Sequence, residues 1–260
     1  MAISPTDILF NIIVSMASML LLRQAAAADP ITRTQQPIVT GASVIGIKYA
    51  DGVMLAADTL ASYGTMARYK DARRLQRVGE HTIVGASGEM SDFQKVVDML
   101  EDMQQEDLNQ DDGYTKSPSE IHSYLRAVMY QRRNKGDPLW NQLLVAGCRD
   151  EKPFLGYVDL IGTAYEENYI ATGFGAYLAI PIIRDRWVLD MEEGEARALL
   201  EDCLRVMFYR DCKASNRIQI AKATRDGTLI SEPYVLENDW ETANYYTRHA
   251  GAAAGDTGSW

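Results

Sequence analysis

Two short apolar segments joined by a tight turn begin the regular part of the sequence. Ser43–Tyr49 is rich in β-branched residues, and Asp51–Gly52 is a strong hairpin signal. Val53–Ala57 is apolar throughout, without polar alternation, and leads directly into Asp58. A strand of this kind is typical of a sheet that is covered on both faces. The pattern therefore predicts an antiparallel hairpin within a fully buried sheet.

Helical periodicity follows in the next third of the chain. A strand over His81–Ser87 leads to Gly88, and apolar residues then recur at helical spacing through Met103. Ser117–Glu120 carries the signals of a second helix start, which are an N-cap serine, a proline in the first turn and a capping-box glutamate. The acidic, polar stretch Gln104–Lys116 between the two helices is predicted to be an exposed loop.

The second half of the chain is predicted to contain two strands, two helices and two more strands. In order, these are Leu139–Cys148, Phe154–Asp159, a short helix after Gly173, Glu193–Arg210, Arg217–Ala223 and Thr228–Ile230. Strands and helices therefore come in separate blocks, which favours an α+β protein. We expect a four-layer α-β-β-α sandwich of two antiparallel sheets flanked by helices.

The two ends of the chain differ from this central region. Ile8–Leu22 is apolar, but only Asp7 is charged before it, so the positive region of a secretory signal is missing. The segment is also short for a bilayer span. We interpret residues 1–33 as a removable pro-segment, with secretion or membrane anchoring as the alternative. Residues 231–260 form a polar and aromatic extension whose end we expect to be mobile.

Composition excludes several classes of function. The chain has 26 Lys and Arg against 36 Asp and Glu, a formal net charge of −10, which disfavours binding to nucleic acid or to an anionic membrane. Its three cysteines form no C-x-x-C pair and are interpreted as reduced thiols. The histidines have no partners at metal-ligand spacing, so we expect neither a metal nor another cofactor.

The hairpin, TGASVIGIKYADGVMLAAD, resembles the start of proteasome β-type subunits in the N-terminal-nucleophile hydrolase family. Gly85–Gly88 (GASG), Tyr169–Tyr177 (YIATGFGAY) and Tyr209–Asp211 (YRD) follow in the order of that family. The similarity runs from about Thr34 to Glu241 and implies the α-β-β-α fold over residues 34–230. TRTQQPIVTGASV, MYQRRNKGDPLWN and FLGYVDLIG further resemble the non-catalytic group at the seventh β position of the eukaryotic 20S core.

The resemblance also implies that catalysis has been lost. Active members attack with the hydroxyl of an N-terminal threonine, helped by a nearby lysine and a glycine N–H as oxyanion hole. Four positions differ here, Ala42 at the nucleophile, Arg74 at the lysine, and Phe174 and Ala214 at two serines, whereas Asp58, Gly88 and Asp211 are retained. Because the nucleophile itself is missing, no catalytic residue is assigned. The retained aspartates are expected to cap turns or to pair with Arg74 or Arg217.

A displaced nucleophile is the alternative. Thr40 and Ser43 flank the expected position, and either would make the chain an active threonine-type peptidase. A shift of one or two residues moves the hydroxyl out of attack geometry, and strand alternation directs Ser43 to the opposite face. The bacterial two-subunit relatives are disfavoured because their pattern keeps the nucleophile.

What remains is a structural and assembly role, again as the resemblance implies. The chain would join other α and β subunits in a four-ring particle of twenty-eight subunits, which degrades proteins in the ubiquitin–proteasome pathway in cytoplasm and nucleus. A neighbouring active subunit would cut the pro-segment between Arg33 and Thr34. The C-terminal extension would reach the opposite β ring through aromatic anchors: Tyr234, Trp240, Tyr245 and Tyr246.

Overall fold

The computed structural model describes residues 36–238 and Trp240; the predictions for residues 1–33, Arg33, Thr34, Tyr245, Tyr246 and 250–260 lie outside that range. Its strands are β1 (Val39–Gly41), β2 (Val44–Tyr49), β3 (Gly52–Asp58), β4 (Ala61–Tyr63), β5 (Met66–Tyr69), β6 (Leu75–Val78), β7 (Thr82–Glu89), β8 (Asn141–Arg149), β9 (Lys152–Val158), β10 (Ala164–Glu166), β11 (Tyr169–Ala171), β12 (Arg217–Thr224), β13 (Gly227–Ile230) and β14 (Tyr234–Val235). Its helices are α1 (Met90–Gln110), α2 (Pro118–Asn134), α3 (Gly175–Arg186) and α4 (Glu193–Arg210).

The strands form two antiparallel sheets. The first sheet has the order β10-β9-β8-β7-β1-β4-β5, with β6 also paired to β7. The second has the order β11-β2-β3-β12-β13, with β14 paired to β12. One apolar cluster lies between the sheets, a second joins the first sheet to α1 and α2, and a third joins the second sheet to α3 and α4. The predicted four-layer α-β-β-α sandwich is therefore confirmed.

Strand β3 shows why the hairpin lacks polar alternation. All seven of its residues are buried. Val53 and Leu55 face the cluster between the sheets, whereas Met54 and Ala56 face the cluster with the helices. Side chains alternate between the two faces of a strand, so a sheet enclosed on both sides needs apolar residues at every position.

The start of α2 has the predicted capping box. The Ser117 side chain accepts the Glu120 amide N–H, and the Glu120 carboxylate accepts the Ser117 amide N–H at 2.7 Å. Hydrogen bonds from the Tyr114 hydroxyl and then from Ser117 lower the pKa of Glu120 to about 2. The carboxylate therefore stays charged at the helix N-terminus, where the helix dipole favours a negative group.

The loop predicted over Gln104–Lys116 is wrong in its first half. Helix α1 continues to Gln110, and only the residues after it leave the helix. Gln, Glu, Leu and Met are good helix formers, so a polar stretch can continue a helix with most of its surface in solvent. Asp111 ends α1 in a left-handed conformation, with φ of 49°. None of the helices in the described range is long and apolar enough to cross a membrane.

We expect Ser117→Ala to lower the free energy of unfolding by about 1 kcal/mol, because the N-cap acceptor is lost. Urea unfolding of the full chain measures this change. Ser123→Ala is the matched control, since Ser123 is exposed inside the same helix and alanine is the better helix former there. Equal unfolding midpoints for the two variants would contradict the assigned cap.

Candidate functional site

Most of the residues assigned to the degenerate active site meet where β1 passes into β2. Ala42 lies at this junction, and Asp58 ends β3 beside it. A small depression is lined by Ala42, Ser43, Asp58, Leu204, Met207, Asp211, Ala214 and Ser215. Its cavity volume is ≈ 0 Å³ for a water-sized molecule, so no water-sized molecule fits inside it.

Arg74 occupies the centre of this cluster and is only 1% exposed. Its Nε donates to the Asp58 carbonyl at 3.0 Å, and its Nη1 donates to the carbonyls of Ala42 at 2.9 Å and Ala86 at 3.3 Å. Its Nη2 donates to the Ser43 carbonyl at 3.0 Å and to the Asp58 carboxylate. A guanidinium has five N–H donors, and all five are therefore used.

Asp58 is held from two sides. One carboxylate oxygen pairs with Arg74, and the other accepts the Ser215 amide N–H at 3.0 Å. Burial raises the pKa of Asp58, and the guanidinium of Arg74 and the Ser215 N–H act against that rise. The expected pairing of Asp58 with Arg74 is therefore present. Arg217 instead lies 3.5 Å from Asp71.

Asp211 and Ala214 also line the depression. Asp211 follows α4, and its carboxylate accepts the Lys213 amide N–H at 2.9 Å, which caps a turn as expected. The Ala214 amide donates to the Asp211 carbonyl at 3.1 Å. Phe174 is 60% exposed and does not line the depression, so the structure does not bring this predicted position into the cluster.

Two glycines lie opposite each other where β1 pairs with β7. Gly41 pairs with Gly88 in the antiparallel register. A Cβ atom at Gly41 would lie 2.4 Å from Cδ of Arg74, and one at Gly88 would lie 2.2 Å from the Trp140 carbonyl oxygen. Gly88 also has a φ of +93°, a conformation that L side chains rarely adopt. Neither position therefore has room for a side chain.

The two candidate displaced nucleophiles lie in different surroundings. Ser43 is buried, and its Oγ accepts the Gly175 amide N–H at 2.8 Å, on the side of α3. Thr40 lies within β1, paired with Ser62 of β4 and Glu89 of β7. Thr40 thus lies within a strand, whereas Ser43 lies in the link between β1 and β2.

Sequence reasoning missed strand β1 and the role of Glu89. β1 has three residues, too few to show a period. The buried Glu89 carboxylate accepts the Val39 amide N–H at 3.0 Å and also that of Ile38. Beyond Val39, an open depression of about 830 Å³ extends along β5 and the first turns of α1. The one signal in the sequence is the position of Glu89 directly before a predicted helix, which indicates a possible helix cap but not a contact with Val39.

The described part of the C-terminal extension packs on its own chain. Tyr234 belongs to β14, and its hydroxyl donates to the Glu201 carboxylate at 2.6 Å. Burial, and then this hydrogen bond, raise the pKa of Tyr234 to about 12. The Trp240 ring lies 4.6 Å from the Tyr209 ring and 5.8 Å from the Phe208 ring, measured between centroids. Trp240 nevertheless remains 56% exposed.

Among the residues that the structure describes, no group of three or more His, Cys, Asp or Glu side chains could hold a metal ion. Cys148 and Cys203 are free and buried, and Cys212 is free and exposed.

Two antiparallel sheets enclosed by helices, with this cleft beside the first hairpin, define a protein of the N-terminal-nucleophile hydrolase fold. The chain matches the proteasome subunit family over residues 38–223. It is 46% identical over 234 residues to "Proteasome subunit beta type-4" of Arabidopsis thaliana, covering 90% of this chain and 94% of that protein. It therefore belongs to the proteasome β subunit family.

Fungal relatives agree with this assignment. "Probable proteasome subunit beta type-7" of Schizosaccharomyces pombe is 48% identical over 221 residues, covering 82% of this chain and 84% of that protein. "Proteasome subunit beta type-7" of Saccharomyces cerevisiae is 42% identical over 232 residues, covering 84% and 86% respectively. The resemblance inferred from the sequence motifs is confirmed.

We expect Arg74→Met to destabilise the chain by about 3–5 kcal/mol, because the buried Asp58 carboxylate loses its ion pair. Urea unfolding of the full chain measures the loss. The double variant R74M/D58N should cost less than the sum of the two single variants, since the unpaired charge is then absent.

Arg77→Met is the control for this prediction. Arg77 lies in β6 close to Arg74 but is exposed, so its loss should cost at most about 1 kcal/mol. A cost for Arg74→Met as small as that of Arg77→Met would show that the buried pair does not stabilise the cleft.

Proposed function

We propose that this chain is a non-catalytic structural and assembly subunit of the 20S proteasome core particle. The observation that carries the proposal is the methyl group of Ala42 at the position where active members of the family have the attacking hydroxyl. Loss of a nucleophile costs on the order of a million-fold in rate in a hydrolase whose catalytic residues act as a unit. The complex is a threonine endopeptidase, and this member contributes to its architecture.

The surroundings of Ala42 support the same conclusion. Arg74 stands at the lysine position, and arginine keeps its charge where lysine can tune its pKa. Its five donors are already bound to the protein, so none is directed into a free site. The depression beside Ala42 has no internal volume for a water-sized molecule, which argues against a substrate group entering it.

An active peptidase with Thr40 or Ser43 as nucleophile is the second candidate. Each carries a hydroxyl within two residues of Ala42. Activity would require one of them to become the first residue of the mature chain, because the mechanism uses the terminal amine as base. The Ser43 hydroxyl already accepts a backbone hydrogen bond, and Thr40 lies within a paired strand, which argues against both.

The partners would be other proteasome α and β subunits. We propose that the C-terminal extension reaches the opposite β ring, with Tyr245 and Tyr246 as aromatic anchors and Trp240 as the point where the extension leaves the domain. The exposed ring of Trp240 supports this placement. We place the subunit in cytoplasm and nucleus, and the free cysteines are compatible with these reducing compartments.

An epoxyketone-type probe should not label this chain in a particle whose other nucleophilic threonines are disabled. The reason is that residue 42 has no hydroxyl to react. Mass spectrometry of the separated subunits detects any adduct and also identifies the mature N-terminal residue. An adduct on this chain, or a mature chain that begins at Thr40 or Ser43, would overturn the proposal in favour of the displaced nucleophile.

Ala42→Thr in the same particle is the companion variant. It restores the hydroxyl, but Arg74, Phe174 and Ala214 still differ from the active pattern, so we expect no labelling. Combining it with Arg74→Lys, Phe174→Ser and Ala214→Ser tests whether the remaining architecture can support the chemistry. Labelling of the single variant would show that Ala42 alone separates this chain from its active relatives.

A chain that ends at Trp240 should fold but assemble several-fold fewer full particles from half-particles, because Tyr245 and Tyr246 are removed. The cut spares β14 and the Trp240 contacts, so the domain itself stays intact. Native gel electrophoresis or sedimentation separates the two assemblies. A chain that ends at His249 is the control and should assemble normally. Normal assembly of the shorter chain would refute a role for residues 241–249.

A further inference from the structure

Helix α4 carries a row of charged and aromatic side chains along one face. Arg197, Glu201 and Arg205 are four residues apart, and Phe208 follows three residues later. Side chains at this spacing lie one above another on the same face of an α-helix. The buried residues of the helix are others, namely Ala196, Leu199, Leu200, Cys203, Leu204 and Met207. The α4 row therefore lies outside the buried stripe of the helix.

The C-terminal extension follows the α4 row in order. The Tyr234 hydroxyl donates to the Glu201 carboxylate at 2.6 Å, and the Arg197 guanidinium lies 5.1 Å from the centroid of the Tyr234 ring. Arg197 Nε also donates to the Glu201 carboxylate, at 2.9 Å. Further on, Arg205 Nε donates to the Glu237 carbonyl oxygen at 3.1 Å. Contacts thus advance in the same direction along the helix and along the extension.

Trp240 continues this order at the end of the helix. Its ring contacts the rings of Phe208 and Tyr209, with centroids 5.8 Å and 4.6 Å away. From Arg197 to Tyr209 an α-helix rises about 18 Å, at 1.5 Å per residue. From Tyr234 to Trp240 an extended chain spans about 20 Å, at 3.3 Å per residue. The two lengths match, so an extended segment just covers the α4 row.

The segment over the α4 row is also fixed by groups beside it. Leu236 is 4% exposed and packs in the cluster of the second sheet and its helices, and its amide donates to the Asn216 carbonyl at 2.8 Å. Arg205 donates through Nη1 to the Asp202 carboxylate, which also accepts Arg186 of α3 at 2.7 Å. The guanidinium that holds the Glu237 carbonyl is therefore itself held in place.

The direction of the extension leads to the end of the domain that carries the depression beside Ala42. Helix α4 ends at Arg210, and Asp211 directly after it lines that depression. We infer that Arg205 and Phe208 are positioning residues, which direct the C-terminal extension so that the residues after Trp240 start from this end of the domain.

A fixed exit point matters for a segment that has to reach another subunit. A tethered segment binds better when its start lies close to its target, and ordering it beforehand lowers the entropy lost on binding. The consequence for assembly rests on the proposed function of the extension, whereas the packing of the extension on α4 does not. Arg205 and Phe208 would therefore act on assembly through the extension, without contacting the opposite ring.

The first measurement is the rate at which half-particles that contain Arg205→Met or Phe208→Leu form full particles, followed by native gel electrophoresis. Both variants leave the sequence of the extension unchanged. Arg205→Met removes the donor to Glu237, and Phe208→Leu removes a ring that contacts Trp240. We expect each variant to lower the rate about 2- to 10-fold, because the extension then has to be ordered during binding.

Arg126→Met is the matched control, since it makes the same chemical change as Arg205→Met at an exposed position of α2. It should form full particles at the rate of the unmodified chain. Equal rates in Arg205→Met, Phe208→Leu and this control would overturn the inference.

Hydrogen exchange of this chain within half-particles reports the positioning directly. Amides of residues 234–238 should exchange about 2- to 10-fold faster in Arg205→Met, because a hydrogen bond that holds the segment is lost. Amides of β3 and of the buried face of α4 should keep their protection. A uniform loss of protection would show a merely global effect and would reject a positioning role, as would unchanged exchange of residues 234–238.

The chain that ends at Trp240 separates this inference from the proposed function. Slow assembly of that chain together with normal assembly of Arg205→Met would reject the positioning role and leave the proposed function standing. Normal assembly of that chain would instead refute the proposed reach to the opposite ring. Local exchange in Arg205→Met would then still decide whether Arg205 positions the extension.

Discussion

One buried guanidinium joins the chain segments that meet at the cleft. Arg74 contacts the junction after β1, the end of β3 and the backbone of β7, and no solvent competes for its donors. A buried charge is tolerated only when it is paired and hydrogen-bonded, and Asp58 supplies the pair. The rest of the cleft depends on this contact, because it fixes where the first hairpin starts relative to both sheets.

The same interaction explains how the cleft keeps its shape around Ala42. Ala42 lies in the link between β1 and β2, so its methyl group follows a paired strand upstream in the chain. The side chains around it bind one another, so the site is filled by internal hydrogen bonds. A cleft completed in this way favours rigidity.

The first part of the C-terminal extension packs on its own chain. Tyr234 was predicted as an intermolecular anchor, yet its hydroxyl binds Glu201 of the same chain. Leu236, two residues further on, is buried against the α4 side of the second sheet. The first part of the extension therefore belongs to the fold, whereas the Trp240 side chain remains largely exposed.

Much of the fold was predictable because it follows from local patterns. The buried hairpin, the Ser117 capping box and the bounds of α4 depend on residues close together in the chain. The absence of a hydroxyl at residue 42 is likewise a matter of one residue type, Ala42. The extension of α1 to Gln110 was missed because a polar stretch of good helix formers has no apolar stripe to reveal it.

The sequence by itself determined the periodicities, the helix start and the absence of a hydroxyl at residue 42. Tertiary structure alone decided which distant groups meet. Ala42 and Arg74 are 32 residues apart, Val39 and Glu89 are 50 apart, and Asp58 and Ser215 are 157 apart. No local pattern encodes such pairs, because the partner of a buried polar group is set by the packing of whole sheets and helices.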